Sequence, residues 1–529
     1  MRLRFTISFF LTVGVSVVLF NGCSSLIDND HDNNYPSTDE QRLTYALNHI
    51  TDSININNES VEYVMAFYEA RNFKTLWVKD SLLEDLYFTE YINDDIKLNL
   101  PLKTLDSRPY YSSNTPYQKE ILTLLRLSEY LDIQSRGLIN FKDSTINDHG
   151  FADLVHLDKF LNSKIASNDW VSHLLFFGNK SINIPTLHKS LNDFTSLYPL
   201  NENIIKVDQK DSLGSDSNKI ALNLKEKGFI NDVNISRDSL THVFKNFQYL
   251  NGLKPDGVLG KNSLRVLHQS NLQRFYKGVI ALEKLKSTPD SLISSKYIEV
   301  NIPSFLLHFY NKDTIVAKHK VVAGANLTQT PEFEATLEYI VTRPYWHVPY
   351  SIASTEILYG ARKDSNYFSK KNYILTKKGE TISPDSVNWK TITSKTFPFR
   401  VKQSSGSSNS LGLLKFLFPN KHAVYIHDTP AKHLFAREER NFSHGCIRVE
   451  HPFELAKKIL ELEDHVYKDS LDSLVGRDEE TYLNINNQFL VHIRYRTAVI
   501  DDSTDQIRFH NDIYGREEKY MKLFEANLP

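Results

Sequence analysis

Cysteine is nearly missing from this chain: there are two in 529 residues, Cys23 and Cys446. That excludes a disulfide framework and argues against a thiolate-rich zinc module. A charge excess of either sign is missing too. With 62 basic and 64 acidic residues, there is no electrostatic footprint for nucleic acid. The apolar run from Phe5 to Phe20 is too short for a comfortable membrane span. Aromatics, by contrast, are plentiful, with 27 Tyr and 31 Phe, enough for sizeable cores. The length predicts two or three domains.

The chain is organised around Lys421 to Ala456, KHAVYIHDTPAKHLFAREERNFSHGCIRVEHPFELA. Cys446 sits there between Ser443-His444-Gly445 and Ile447-Arg448, with His427 nineteen positions upstream. A thiol with nearby imidazoles is a candidate nucleophile, because the thiolate attacks carbonyl carbon and an imidazole takes the proton. The spacing lets two strand ends and their loop bring His427 and Cys446 together. Gly445 leaves room for close backbone approach, so amides near Cys446 are candidates to hold an oxyanion. Two plainer readings compete. A lone buried cysteine is usually inert packing. A zinc site would draw on His427, His433, His444, His451 and Cys446, but zinc usually takes several thiolates or a short-range His/Cys spacing, and neither is present.

The pattern His-x(18)-Cys with Ser-His-Gly-Cys-Ile-Arg resembles the signature of the YkuD-type L,D-transpeptidases, which cross-link bacterial peptidoglycan through a cysteine acyl-enzyme. The resemblance implies Cys446 as nucleophile, His427 as base, His444 as an assisting group, and the backbone carbonyl of Asp428 as the group that orients the base. The family often has Asn where this chain has Arg448, a departure shared by its large multi-domain branch. Further matches run through Val321-Val322-Ala323-Gly324, Thr330-Pro331, Arg343-Pro344-Tyr345-Trp346-His347-Val348-Pro349, Asn409-Ser410-Leu411-Gly412 and Lys415 to Asn420. Arg448, Tyr425, Trp346 and Asn409 are the expected substrate-binding residues. For Arg448 the plain alternative is a structural salt bridge. For Trp346 and Trp389 it is core packing.

Arg2 and Arg4 precede the apolar run, which ends at Asn21-Gly22-Cys23-Ser24. A basic start and a short apolar core describe an export signal, and Cys23 after Gly22 resembles a lipobox. Residues 1–23 are expected to be a lipoprotein signal and 24–59 a polar tether. The implied place is the periplasm, lipid-anchored, with Ser24 leaning towards the outer membrane.

Apolar residues recur at helical spacing at Val61, Val64, Met65 and Tyr68, from Tyr117 to Ile133, and at Leu154, Leu157, Phe160 and Leu161. Residues 60–230 are therefore expected to be a helical scaffold, and FYEARNFKTLWV within it looks like the opening of the scaffold in the large transpeptidases. Residues 231–272 carry Phe247-Gln248, Gly252-Leu253, Asp256-Gly257 and Gly260, and resemble a peptidoglycan-binding-1 module, serving either the wall or packing. A helical linker, 273–293, leads to short alternating runs from Lys296 that read as paired strands. The expected catalytic domain spans 294–500, mostly β, with a capping insertion at 351–408 and a helix from Glu450 to Leu462. A C-terminal segment, 501–529, follows.

The fold class is thus α+β, multi-domain. The implied reaction has Cys446 attacking the third-residue carbonyl of a stem tetrapeptide, at the bond to the terminal D-alanine. A second stem's amine then resolves the thioester into a 3-3 cross-link. No cofactor or metal is implied. The partners are peptidoglycan stem peptides as donor and acceptor, the glycan wall through the small module, and a membrane through the anchor. An L,D-carboxypeptidase using water as acceptor remains open. So does a non-catalytic, lipid-tethered wall-binding protein.

Overall fold

Alternation of apolar and polar residues from Lys296 onward builds one large sheet. The computed structural model describes residues 38–53, 58–79, 82–83, 115–147, 150–164, 183–200, 202–208, 217–287, 296–312, 314–501 and 503–527. Cys23 and the whole export-signal reading lie outside the described residues. Strands β1 (Lys296–Asn301) and β2 (Leu306–Asn311) pair antiparallel. Ile298, Val300, Leu307 and Phe309 point inward and are wholly buried, as the two-residue period of a strand requires. Phe305 turns the hairpin between β1 and β2, with φ of 53°.

The rest of the sheet is built from β3 (Thr314–Gly324), β4 (Phe333–Thr342), β9 (Leu414–Leu417), β10 (Ile426–His427), β11 (Asn441–Ser443), β12 (Ile447–Val449) and β13 (Thr481–Arg494). Its order is β11-β3-β12-β10-β9-β4-β13-β1-β2, and β2 pairs back onto β3. The ladder therefore closes on itself. The start of β3 serves β2, while Val321 and Val322 serve β12. The pairing that matters most is β10 with β12, which run parallel with Ile426 opposite Ile447 and His427 opposite Arg448. Helix Pro452–Leu462 follows at once, with proline in its first turn, where a missing N–H costs nothing. It buries Leu455, Ala456, Ile459 and Leu460 against the sheet's core.

Between β4 and β9 the chain leaves the sheet and makes a small unit with its own core of Ala353, Ile357, Leu358, Phe368, Leu375, Phe397, Phe399 and Val401. Its strands are β5 (Trp346–His347), β6 (Tyr373–Lys377), β7 (Glu380–Ile382) and β8 (Arg400–Gln403), in the order β7-β6-β8-β5.

Two helical cores lie N-terminal to the sheet. The first gathers residues from Leu43 to Leu285 and takes Ala498, Ile507, Phe509, Tyr520 and Phe524 from the end of the chain. At its centre Glu120 is fully buried. Its carboxylate accepts from the amides of Leu76, Trp77 and Val78 and from Tyr68 Oη, which offsets the cost of burying a charge. The second core is smaller and centres on Phe244, Phe247, Leu224 and Leu267. There Gln248 ties the following turn: its Nε2 donates to Asp256 Oδ1, Val258 O and Ser263 Oγ, and its Oε1 accepts from Gly257 N. Gly257 has φ of 79°, a region where a Cβ is strained.

Candidate active site

The strand pairing decides where the chemistry can be. Ile447 begins β12 against β10, so Cys446 sits at the turn entering one strand while His427 ends its parallel neighbour. Upstream, Asn409-Ser410-Leu411-Gly412 shapes the ground beneath the base. Gly412 has φ of 62°, and a Cβ there would collide with the Asp428 carboxylate. That carboxylate accepts from Leu413 N at 2.9 Å, from Thr429 N at 2.7 Å and from Lys432 Nζ. Asp428 is thereby fixed, and its carbonyl accepts from His427 Nδ1 at 2.5 Å. A carbonyl can only accept, so Nδ1 carries the proton and Nε2 keeps the lone pair. The Asp428 carbonyl orients the imidazole, and the Asp428 side chain holds that carbonyl in place.

His427 is buried, at 5% exposure. Desolvation and then the charge of Arg448 push its pKa down to about 3, with Lys415 adding to the drop; the Asp428 and Leu411 backbone groups pull the other way. At neutral pH it is an uncharged base. The Cys446 thiol is half-buried. Burial raises its pKa, opposed by backbone and side-chain hydrogen bonds from Tyr425 and by the charges of Lys415 and Arg448. Sγ also lies 3.8 Å from Ala423 O. The resting pair is therefore thiol and imidazole, both neutral, and the thiol's partners here are Tyr425 and Ala423 rather than His427.

Around the thiol, Tyr425 is the hub. Its hydroxyl meets Cys446 and takes a hydrogen bond from Trp346. Its ring lies 5.6 Å from His427 and 4.1 Å from Lys415 Nζ. Trp346, on β5, thus brings the inserted unit to Cys446. Arg448 forms no salt bridge among the described residues, and its Nε is buried without a partner. Lys415 has no carboxylate within salt-bridge distance there either. On the other side of the turn His444 is exposed, and its Nε2 meets Glu356 Oε1 at 2.5 Å. Glu356 sits in a π-helical turn, Ala353–Ile357, of the inserted unit.

Two expectations change at this point, and the core alternative for Trp389 is met. Asn409 is not positioned to touch substrate: it is wholly buried, its Nδ2 donates to the carbonyls of Pro344, Gln403 and Ser404, and its Oδ1 accepts from Leu411 N. It shapes the loop before the base. Gly445 takes the open conformation expected of it, with φ of 110°, but its amide donates to Ser443 Oγ at 3.2 Å. The Cys446 amide has no acceptor among the described residues. Trp389 stacks on Phe368 at 5.2 Å, with its Nε1 on Pro384 O; it belongs to the inserted unit's core and not to a groove.

Sequence reasoning missed Glu356 and Lys415 as site residues. Lys415 was legible in principle, since it pairs with His427 across β9 and β10. Glu356 carries no local signal at all. Among the described residues no three His, Cys, Asp or Glu side chains converge in a way that would hold a metal.

The comparisons agree with this geometry over the sheet domain. Residues 295–475 match the model of YkuD, the L,D-transpeptidase catalytic domain. A Haemophilus influenzae protein (strain ATCC 51907 / DSM 11121 / KW20 / Rd) named "Putative L,D-transpeptidase" is 34% identical over 231 residues, 44% of this chain and 46% of that protein. The chain thus spans just under half of that relative. A solved structure of the Ldtfm–avibactam carbamoyl enzyme is 14% identical, covering 41% of this chain and 61% of that one, with a TM-score of 0.17, too slight a likeness to argue from. The likeness to the YkuD L,D-transpeptidase catalytic domain thus lies in the sheet domain.

Proposed function

We propose that this chain forms 3-3 cross-links in peptidoglycan through an acyl-enzyme on Cys446. The observation that carries the reading is the thiol beside Tyr425, with a neutral, carbonyl-oriented His427 on the neighbouring strand. His427 Nε2 takes the thiol proton as sulfur attacks the third-residue carbonyl, and gives it to the departing D-alanine amine. The Cys446 amide and the Tyr425 hydroxyl are the donors available to the oxyanion. Arg448 has no carboxylate partner among the described residues, and its planar fork suits the donor's terminal carboxylate. An amine on a second stem then releases the acyl group.

The inserted unit acts as a cap in this reading, since Trp346 and Glu356 both reach the nucleophile turn. The small helical unit is read as a packing element. Lys254 N and Asn262 Nδ2 donate to Glu438, and Arg265 pairs with Glu439 at 3.0 Å, so its turn is docked on the segment leading to Cys446. We place the protein in the periplasm on a lipid carried by Cys23, which alkyne fatty-acid labelling of cells would test.

The deciding experiment mixes the purified protein with disaccharide-tetrapeptide and reads products by mass spectrometry beside Cys446→Ala. A cross-linked dimer lost in the variant is expected. Tripeptide and free D-alanine alone would make the protein an L,D-carboxypeptidase. No cysteine-dependent product, with no acylation by a carbapenem, would leave a non-catalytic wall protein.

A further inference from the structure

Unpaired charge around Cys446 is sorted by side. On the strand side, Arg448 and Lys415 are cations without a salt bridge among the described residues. On the loop side, Glu356 is a carboxylate whose only ionic partner there is His444. The neighbouring cations of its own segment are engaged elsewhere: Arg362 donates to Trp389 O and Ile392 O, and Lys363 lies over Tyr359 at 4.4 Å. Glu356 and His444 are both about half exposed, at 57% and 46%, so the pair faces solvent beside the nucleophile. A carboxylate accepts only, so His444 Nε2 carries a proton, and in the neutral imidazole Nδ1 keeps a lone pair, two residues from Cys446. Nδ1 has no hydrogen-bond partner among the described residues. Glu356 rides on a π-helical turn, a feature that recurs at functional sites.

We propose that Glu356, with His444, is the acceptor subsite and takes a protonated primary amine. This rests on the transpeptidase reading above and names the side from which its second substrate enters. A primary ammonium must lose a proton before its nitrogen can attack. The charges divide the work: the donor's carboxylate lies towards Arg448, and the acceptor's ammonium towards Glu356. One ammonium proton passes to His444 Nδ1 and on to water, and Glu356 steadies the imidazolium while it exists. The free amine then attacks the thioester carbon, the C–N bond forms and the C–S bond breaks. The second amine proton passes through His427 to the departing sulfur of Cys446. Water as acceptor carries no positive charge and gains nothing from Glu356, so the pair favours aminolysis over hydrolysis.

The test uses the full chain as wild type, Glu356→Gln and Glu356→Asp, with disaccharide-tetrapeptide as donor and acceptor. Mass spectrometry gives the ratio of dimer to tripeptide, and carbapenem acylation is followed separately. Glu356→Gln is expected to lower the ratio at least tenfold and to raise the acceptor KM, with acylation proceeding as a check on folding. Glu356→Asp is expected to recover part of the ratio. An unchanged ratio in Glu356→Gln, with acylation intact, overturns the subsite while leaving the acyl-enzyme standing. A wild type that makes only tripeptide overturns it as well. A wild type that carbapenem does not acylate overturns the underlying reading and this one together.

Discussion

The two sides of Cys446 carry the same kind of residue and treat it in opposite ways. On the strand side His427 is buried, its Nδ1 locked to a carbonyl that is itself braced by Gly412 and Asp428. On the loop side His444 is exposed and held by a carboxylate from a separate unit of the fold. The first arrangement is tightly held, since moving the buried ring would break its bond to the Asp428 carbonyl. The second depends on how the inserted unit sits. The buried imidazole, with its pKa pushed down to about 3, stays neutral over the working range and is always available as a base. On the proposed reading the difference is a division of labour in which proton transfer at the thiol is built into the sheet and the second substrate is met by an exposed, polar surface.

The largest effect should separate the two histidines. A positioned acid–base group contributes about 10²–10⁴-fold, so His427→Asn is expected to slow carbapenem acylation by that much. His444→Asn should leave acylation within a few-fold of wild type. Stopped-flow quenching of intrinsic fluorescence on acylation reads both. Equal losses in the two variants would erase the contrast between the sides.

A smaller effect sharpens the strand side. Arg448→Lys keeps the charge and loses the planar fork, which matters where a carboxylate is held by two parallel hydrogen bonds. The donor KM is expected to rise about tenfold, which corresponds to about 1.4 kcal/mol, with thermal stability little changed. A KM that does not move would return Arg448 to a structural role.

Much of the strand side was legible in the sequence because its determinants are local. His427, Cys446 and the glycine between their flanking residues lie in one stretch, and alternating apolar residues place that stretch on strands whose register follows from a buried face. Asn409 misled for an instructive reason: its position in a motif beside the site says nothing about which way its side chain turns, and an Asn that caps three carbonyls looks in sequence like one that meets substrate. Glu356 could not be found, because the contact with His444 spans 88 positions and depends on how an inserted unit packs. That Arg448 has no salt bridge among the described residues was likewise invisible, since an absent salt bridge is a property of the whole neighbourhood.

The smallest expected effect concerns the thiol. Burial raises the Cys446 pKa, and Tyr425 hydrogen bonds are the first influence opposing it, ahead of Lys415 and Arg448. The thiolate is the species that reacts with iodoacetamide, so alkylation of the free protein should have its midpoint above the ordinary thiol value of about 8.5. Tyr425→Phe removes the side-chain hydrogen bond and keeps the ring. The thiolate loses a donor, so the midpoint should move further up, by well under the effect of removing His427 on acylation. Alkylation followed against pH by intact mass reads both. A midpoint near 7 in the wild type would mean that the free enzyme holds a thiolate–imidazolium pair, and the strand side would then be charged at rest rather than neutral.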